Sequence, residues 1–172
     1  MGADNEPARV EVSRAIAATP SEIFQLLRDP KGHVAIDASG MLMSSSGEPV
    51  SAVGDTFVMH MDRDALRDVP LGEYDVTVTF VTYEPDREIA WGVIPSMANW
   101  NGEAVGHVFG YRLEPIEGGT VVTQYCDWSA LQSEVKARGR FPVISEASLR
   151  ATLGILARTV APGRPRPDVE TS

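Results

Sequence analysis

The amino-acid sequence predicts one α+β domain in which a curved, seven-stranded antiparallel sheet wraps a single long C-terminal helix. Three observations lead to this fold class. One strand-like segment and two short helical segments open the chain, six strand-like segments follow, and one apolar stripe at helical spacing comes last. The connections between the strand-like segments are short, which favours antiparallel neighbours. Strands and helices that are segregated in this way are typical of the α+β class.

The first element is a strand over residues 9–17. Val10, Val12 and Ile16 alternate with polar residues, which is the pattern of a strand with one buried face. Arg14 falls on the buried side of this alternation. A buried guanidinium needs a partner, so Arg14 is either a polar anchor that faces inward or the sign of a β-bulge.

Two short helices come next. Thr19 can cap a helix, Pro20 suits its first position, and Glu22 completes a capping box. An apolar stripe at helical spacing follows, and Pro30 ends this first helix. A second short helix is expected over about 31–36.

The middle of the chain has the two-residue period of strands. Gly118 and Gly119 supply the turn of a hairpin between the last two strands. Gly92, Gly106 and Gly110 lie in or beside strands, where glycine often marks a bend in a curved sheet. The six predicted strands are 39–45, 54–62, 72–84, 87–94, 106–115 and 119–129.

The last element is a long helix from about Pro142 to Val160. Leu149, Leu153, Leu156 and Val160 recur at spacings of four, three and four, which gives one apolar stripe. A single helix covers only a strip of a sheet that has seven strands. Either strand side chains fill the remaining space, or a cavity remains between the sheet and the helix.

Polar segments flank this domain at both ends. The chain has 172 residues, which suits one domain with one core. We expect a flexible leader over 1–8, a folded domain over 9–160 and a disordered tail over 161–172. The tail is rich in proline and charge and lacks hydrophobic periodicity.

Charge and composition restrict the partners. The formal net charge of −9 argues against a nucleic-acid partner and against docking on anionic membranes. No run approaches the roughly 18 apolar residues of a membrane span, so we expect no stable membrane insertion. Cys126 is the only cysteine, and the start of the sequence lacks the pattern of a secretory signal, which together predict a cytoplasmic location. We expect no metal site and no cofactor.

Four stretches carry a family resemblance over about residues 9–160. They are VEVSRAIAATPSEIFQLLRDP, VGDTFVMHM, YDVTVTFVTYEPDREIAWGV and GHVFGYRLEPIEGGTVVTQYCDW. These strings and the order of elements resemble the START-like or SRPBCC (helix-grip) superfamily, specifically its polyketide cyclase/dehydrase-like branch. The resemblance implies a deep apolar cavity between the sheet and the long helix. Members of the superfamily bind lipids, sterols, polyketides or hormones, and some catalyse cyclisation or dehydration in that cavity.

The predicted strand faces and the stripe of the last helix supply a set of pocket candidates. A face that mixes methionine, aromatic residues and one histidine suits an apolar pocket with a few polar anchors, and it also suits an ordinary core. Residues 95–105 form an apolar connection that could cover the pocket mouth. The candidate ligand-binding residues are Phe57, Met59, Met61, Trp91, Trp100, His107, Phe109, Tyr111, Tyr125, Leu149, Leu153 and Leu156.

A smaller set of polar residues could carry chemistry. A histidine can act as acid or base near neutral pH, and a carboxylate can orient it, which suits proton abstraction next to a carbonyl. The alternative is a hydrogen-bonded His or Tyr pair inside a β core. The residues lie on two strands whose register the sequence does not give. The catalytic candidates are His107, Tyr111, Tyr125 and Asp127.

Three functions remain open at this point. The first is the binding of an apolar or amphipathic small molecule, such as a lipid, a polyketide or a sterol-like compound. The second is a cyclase or dehydratase of the lyase type that acts in the same cavity, which rests on the resemblance alone. The third is a protein-interaction module, for which side chains would fill the cavity. The sequence does not choose between a monomer and a homodimer.

Overall fold

The computed structural model describes residues 7–169 and confirms the predicted α+β, helix-grip architecture. Seven antiparallel strands form one open sheet in the order β1-β7-β6-β5-β4-β3-β2. Every predicted strand is present, with ends that differ by at most three residues from the prediction. The strands are β1 (Arg9–Ile16), β2 (Leu42–Ser46), β3 (Thr56–Asp62), β4 (Glu73–Glu84), β5 (Glu88–Ser96), β6 (Val108–Ile116) and β7 (Gly119–Asp127).

Within residues 7–169, four helices accompany the sheet. They are α1 (Pro20–Leu27), α2 (Pro30–Ile36), α3 (Ser133–Ala137) and α4 (Glu146–Val160), with a short 3₁₀ turn over Asp64–Leu66. The sequence does not predict α3, because its five residues carry no apolar stripe. None of the helices within residues 7–169 is both long and apolar enough to cross a membrane.

The helix starts follow local capping chemistry. The Thr19 hydroxyl accepts from the Glu22 backbone N–H at 3.1 Å, and the Glu22 carboxylate accepts from the Thr19 backbone N–H at 3.0 Å. The predicted capping box is therefore confirmed. The long helix begins at Glu146 and not near Pro142, because the Ser145 hydroxyl caps it by accepting from the Ser148 backbone N–H at 3.1 Å.

Strand register decides which side chains face the helices. Residues that lie directly opposite each other in an antiparallel pair point to the same face of the sheet. Tyr111 of β6 is opposite Gln124 of β7, and Tyr125 is opposite Gly110. Tyr111 and Gln124 therefore share the concave face, which the helices cover, while Tyr125 lies on the outer face.

Arg14 shows how an edge strand carries a polar residue on its inner side. β1 pairs with β7 from Arg9 to Ile16 without a register shift, so the bulge alternative is wrong. The guanidinium lies near Gly154 of α4. Its Nε is buried and has no hydrogen-bond partner within residues 7–169.

The helices cover the two ends of the concave face more than its middle. α4 packs on β1 and β7, and α2 packs on β2 and β3. β5 pairs with β6 only from Glu88 to Trp91, after which the two strands separate. The chain between them returns to the sheet at Val105, whose N–H donates to the Val93 carbonyl at 3.0 Å. This arrangement leaves space between the sheet and the helices.

The outer boundaries of the domain stay predictions. Residues 1–6 of the expected leader and 170–172 of the expected tail lie outside the described residues. In the described part of the tail, Arg164 donates from Nη1 to the Ala17 carbonyl at 3.2 Å.

Candidate functional site

A cavity lies over the middle of the sheet and has two chambers. The inner chamber has a volume of about 120 Å³ and lies between β3–β7, α2 and α4. Met59, Val78, Trp91 and Tyr111 form much of its floor. Thr152 of α4 faces this floor from the helix side.

The outer chamber has a volume of about 540 Å³ and lies where β5 and β6 separate. Residues from the three segments 63–71, 95–107 and 135–144 border it. Trp100 and His107 belong to the second segment, so the predicted position of the 95–105 connection at the pocket mouth agrees with the structure.

The two chambers adjoin each other. Five apolar residues line both of them, so these side chains form the boundary at which the two chambers meet. The shared residues are Met41, Met61, Val93, Phe109 and Ile144.

His33 closes one side of the inner chamber as a neutral imidazole. Its Nε2 lies 2.6 Å from the Leu27 carbonyl oxygen. Because a carbonyl only accepts, Nε2 carries the proton. Burial lowers the pKa of His33 to about 4, against a small opposing effect of the Leu27 hydrogen bond and the Asp29 charge. Its ring packs edge-on against Trp91, with the ring centroids 4.7 Å apart.

Three further polar side chains reach the inner chamber from three elements. They are Tyr111 of β6, Gln124 of β7 and Thr152 of α4. Each is almost fully buried, with 3%, 5% and 6% of its surface exposed. The Gln124 Oε1 atom is buried without a hydrogen-bond partner within residues 7–169.

Asp37 brings a negative charge to the wall of the inner chamber. Its Oδ1 accepts from the Ser39 hydroxyl at 2.6 Å, and its Oδ2 accepts from the Gly40 backbone N–H at 3.0 Å. Burial, and secondarily the Asp37 charge, raises the pKa of the Tyr111 phenol well above its usual value. Tyr111 is therefore a neutral phenol at every physiological pH.

His107 lines the outer chamber in an aromatic setting. Its ring lies 5.3 Å from the Phe109 ring and 5.0 Å from the Phe141 ring, measured between centroids. Burial lowers the pKa of His107 to about 4. Its Nδ1 is buried and has no hydrogen-bond partner among the residues that the structure describes.

Tyr125 takes no part in the cavity, which corrects the prediction that it faces the pocket. Its ring lies across the outer face of the sheet, where the Arg9 guanidinium stacks over it at 4.1 Å from the ring centroid. Its hydroxyl donates to Glu88 at 3.2 Å. Burial, and secondarily the Glu88 charge, raises the pKa of Tyr125 to about 12. Gly110 makes room for this ring, since a Cβ there would overlap the phenol oxygen.

Asp127 also lies away from the cavity. Its carboxylate accepts from the Ser129 hydroxyl at 2.6 Å and from Arg9 at 3.3 Å. The Ser129 hydrogen bond is the main reason why the pKa of Asp127 is lowered. The predicted cluster is thus divided: His107 and Tyr111 line the cavity, whereas Tyr125 and Asp127 lie on the outer face.

The predicted ligand-binding set is also divided by the structure. Seven members line the cavity: Met59, Met61, Trp91, Trp100, His107, Phe109 and Tyr111. Besides Tyr125, four members lie in the packed core beside the cavity and do not line it: Phe57, Leu149, Leu153 and Leu156. The three leucines pack where α4 lies on β1 and β7. Phe57 of β3 packs instead against the rings of His33 and Phe80.

Sequence analysis missed several residues of the inner chamber. Thr152 lies three residues after Leu149, so it is a polar residue on the apolar stripe of α4, and this signal was available in the sequence. Gln124 alternates with Val122 and Cys126, but only the β6–β7 register reveals its position beside Tyr111. His33 and Asp37 come from α2 and the loop after it, whose path across the sheet the pattern does not encode.

Comparison with known proteins agrees with this architecture. The sequence matches the family described as "Polyketide cyclase / dehydrase and lipid transport" over residues 7–161. Among curated proteins, no sequence matches the chain significantly.

Solved structures with the same fold come from several bacteria. A protein from Chromobacterium violaceum is 14% identical, with a TM-score of 0.64, and the match covers 91% of this chain and 99% of that one. A protein from Mycobacterium smegmatis is 12% identical, with a TM-score of 0.64 and coverage of 95% and 97%. The Aha1 dimer from Colwellia psychrerythraea is 18% identical, with a TM-score of 0.55 and coverage of 91% and 98%. At these identities the likeness shows the fold alone.

The family match extends over nearly the whole described chain, and the fold suits the binding of a hydrophobic ligand. On this basis, the chain belongs to the polyketide cyclase/dehydrase and lipid transport family.

Proposed function

We propose that this protein binds an apolar or amphipathic small molecule, of the lipid, polyketide or sterol-like kind, in the cavity between the sheet and α4. The observation that carries the proposal is the pair of adjoining chambers, which side chains leave unfilled. Both chambers are concave and are lined mainly by apolar side chains. Small-molecule sites typically combine such an apolar lining with a few polar groups.

The size and lining of the cavity support this proposal. The outer chamber has a volume of about 540 Å³, within the range of roughly 300 to 1,000 Å³ that small-molecule pockets occupy. Its wall combines methionine and aromatic side chains, such as Met61, Trp100 and Phe109, with a few polar groups. Flexible methionines suit ligands of irregular shape. The lipid-transport part of the family description points in the same direction.

Catalysis in the same cavity is the second candidate, and His107 is the observation that favours it. This imidazole lines the outer chamber and is neutral above a pKa of about 4. Such a group can accept a proton, although the low pKa makes it a weak base. Asp127 does not orient it, since that carboxylate lies on the outer face with Arg9 and Ser129. Cyclisation with dehydration would remove one water from a bound polyketide, which mass spectrometry of the ligand after incubation detects.

The protein-interaction module has less support, because it requires a cavity that is filled by side chains. Within the described residues, the large apolar side chains that are exposed come from five separate segments of the chain: Met43, Val53, Leu66 with Leu71, Val81 and Val169. Single exposed apolar residues are normal on monomeric proteins.

The test of the proposal is native mass spectrometry of the freshly purified protein, followed by extraction of whatever is bound. A panel of fatty acids, sterols and aromatic polyketides is then titrated into the protein. We expect at least one class to bind with a stoichiometry of one. If nothing co-purifies and the whole panel fails to bind, the proposal is wrong.

A variant that fills part of the cavity tests whether the ligand binds there. Val93 lines both chambers, so Val93→Phe places a phenyl ring where the chambers join. We expect this variant to weaken binding of the panel ligands about tenfold or more. Val81→Phe is the matched control, because Val81 lies on the same sheet and is 48% exposed. Equal losses of affinity in both variants would argue against the cavity as the site.

We also propose a cytoplasmic location. The only cysteine, Cys126, is buried, and burial raises the pKa of its thiol to about 12, so it is an inert thiol that needs no oxidising compartment. Fractionation of cells that produce the protein checks this, and recovery in an extracytoplasmic fraction would refute it.

A further inference from the structure

The inner chamber contains a group of polar side chains that the fold itself does not require. Tyr111, Gln124 and Thr152 come from β6, β7 and α4, and all three line this chamber. All three are more than nine-tenths buried. Of their polar atoms, the Gln124 Oε1 is both buried and without a hydrogen-bond partner within residues 7–169. The Tyr111 and Thr152 side chains line the same chamber beside it.

Buried polar groups without partners are rare in proteins, because they lose their hydrogen bonds to water on folding. Phe and Val have nearly the same shapes as Tyr and Thr, and Met or Leu could occupy the place of Gln, so an apolar ligand alone would be held as well by apolar residues. A hydroxyl and an amide can each donate and accept. The three side chains together therefore suit a ligand group that forms hydrogen bonds in both directions.

The charges around the inner chamber restrict the nature of that group. Asp37 is the one formally charged residue in its lining, and no lysine or arginine is present among the lining residues that the structure describes. His33 is neutral there, and its proton is engaged with the Leu27 carbonyl. An anionic ligand group would meet the Asp37 charge without a cation to compensate it. A neutral group avoids this repulsion.

We infer that the inner chamber binds a neutral hydroxyl or carbonyl end of the ligand through Tyr111, Gln124 and Thr152, and that the apolar remainder extends into the outer chamber. The volumes agree with this orientation, since about 120 Å³ accommodates a polar end and about 540 Å³ accommodates the larger body. Met61, Phe109 and Ile144 line both chambers, so the surface where the chambers meet is apolar. The inference rests on the proposed function, because it assumes that the cavity is the ligand site.

The opposite orientation of the ligand predicts the opposite charge preference. Arg138 and Arg140 border the outer chamber and form no ion pair within the described residues. A carboxylate end at these arginines would leave the apolar end inside. The two orientations differ in which ligand charge is preferred.

The test uses three probes that share one ring system: 2-naphthol, naphthalene and 2-naphthoate. Their affinities for the full-length protein are measured by fluorescence titration at neutral pH. A purely apolar cavity binds naphthalene at least as well as 2-naphthol, because the hydroxyl must give up its hydration. We expect instead that 2-naphthol binds about tenfold more tightly than naphthalene and more tightly than 2-naphthoate.

Variants assign the preference to the inner chamber. Tyr111→Phe and Gln124→Leu are each expected to lower the affinity for 2-naphthol about three- to tenfold while naphthalene binding is retained, which also shows that the variants fold. Tyr125→Phe is the matched control, since this tyrosine lies on the outer face and its loss leaves both affinities unchanged.

The possible outcomes separate the inference from the proposed function. Equal affinities for 2-naphthol and naphthalene in the wild type overturn the inference and leave the cavity as a ligand site. Tightest binding of 2-naphthoate overturns it in favour of the arginines at the mouth. A hydroxyl preference that survives both variants also overturns it. If none of the three probes binds, the inference falls, and the lipid, sterol and polyketide panel decides separately on the proposed function.

Discussion

His33 and His107 are buried histidines that stay neutral in the folded protein, because burial lowers the pKa of each to about 4. His33 packs against the rings of Phe57 and Trp91, and His107 packs between Phe109 and Phe141. In the unfolded chain the same imidazoles have the usual pKa of about 6.5. Between these two values the unfolded state binds more protons than the folded state.

The stability of the protein should therefore decrease as the pH is lowered through this window. The contribution is complete above about pH 6.5 and is lost as the pH decreases toward 4, by up to about 1.4 kcal/mol per pH unit for each histidine. Urea unfolding at a series of pH values measures this slope. His107→Phe retains an aromatic ring and should remove roughly half of it. A free energy of unfolding that is constant between pH 6.5 and 4.5 would contradict the assignment.

The sequence predicts which face of a strand a side chain lies on only as far as the alternation of apolar and polar residues allows. Alternation correctly grouped His107, which comes just before β6, with Phe109 and Tyr111 of β6 on the side that lines the cavity. Alternation could not show that Gln124, and not Tyr125, lies on the same face of the sheet as Tyr111. A shift of one residue in the pairing of β6 with β7 would exchange the two faces. The polar end of the cavity was therefore missed.

The short helix α2 is the element that shapes the closed side of the cavity. It carries His33 and Ile36, and Asp37 follows at its end. Gly32 lets this helix approach α1 closely, since a Cβ at Gly32 would overlap the carbonyl oxygen of Leu26. Backbone atoms cannot move aside as a flexible side chain can, so any larger residue must separate α1 from α2.

Gly32→Ala is accordingly expected to destabilise the protein by about 3 kcal/mol. Gly92→Ala is the matched control, because the nearest atom to its added Cβ is the His107 carbonyl oxygen at 3.9 Å, an ordinary contact. The control should change stability by less than about 0.5 kcal/mol. Urea unfolding of both variants compares them, and equal stabilities would show that α2 does not depend on this close approach.

The sequence predicts the helices and strands well where residues close in sequence determine their ends. The capping box of α1 and the hairpin between β6 and β7 are encoded within a few residues, and both are present. The separation of β5 from β6 beyond Trp91 was not predictable, because β5 continues to Ser96 and nothing in its residue pattern marks where the pairing ends. That separation opens the outer chamber.

At the scale of the whole molecule, the cavity results from incomplete coverage of one wide sheet. α4 covers β1 and β7, α2 covers β2 and β3, and the middle strands carry the two chambers. The sequence left two alternatives open, a filled face and a cavity. Only the path of the helices across the sheet distinguishes them, and no residue pattern encodes that path directly.

The central claim is that the ligand occupies this cavity, and nuclear magnetic resonance of the tryptophan indole N–H groups tests it most directly. Trp91 lines the inner chamber and Trp100 the outer chamber. Trp91→Phe and Trp100→Phe assign the two signals, and the tightest binder of the lipid, sterol and polyketide panel is then titrated. The account predicts that both signals shift along one saturable curve. Saturable binding that leaves the Trp91 and Trp100 signals unmoved would place the ligand elsewhere and contradict the claim.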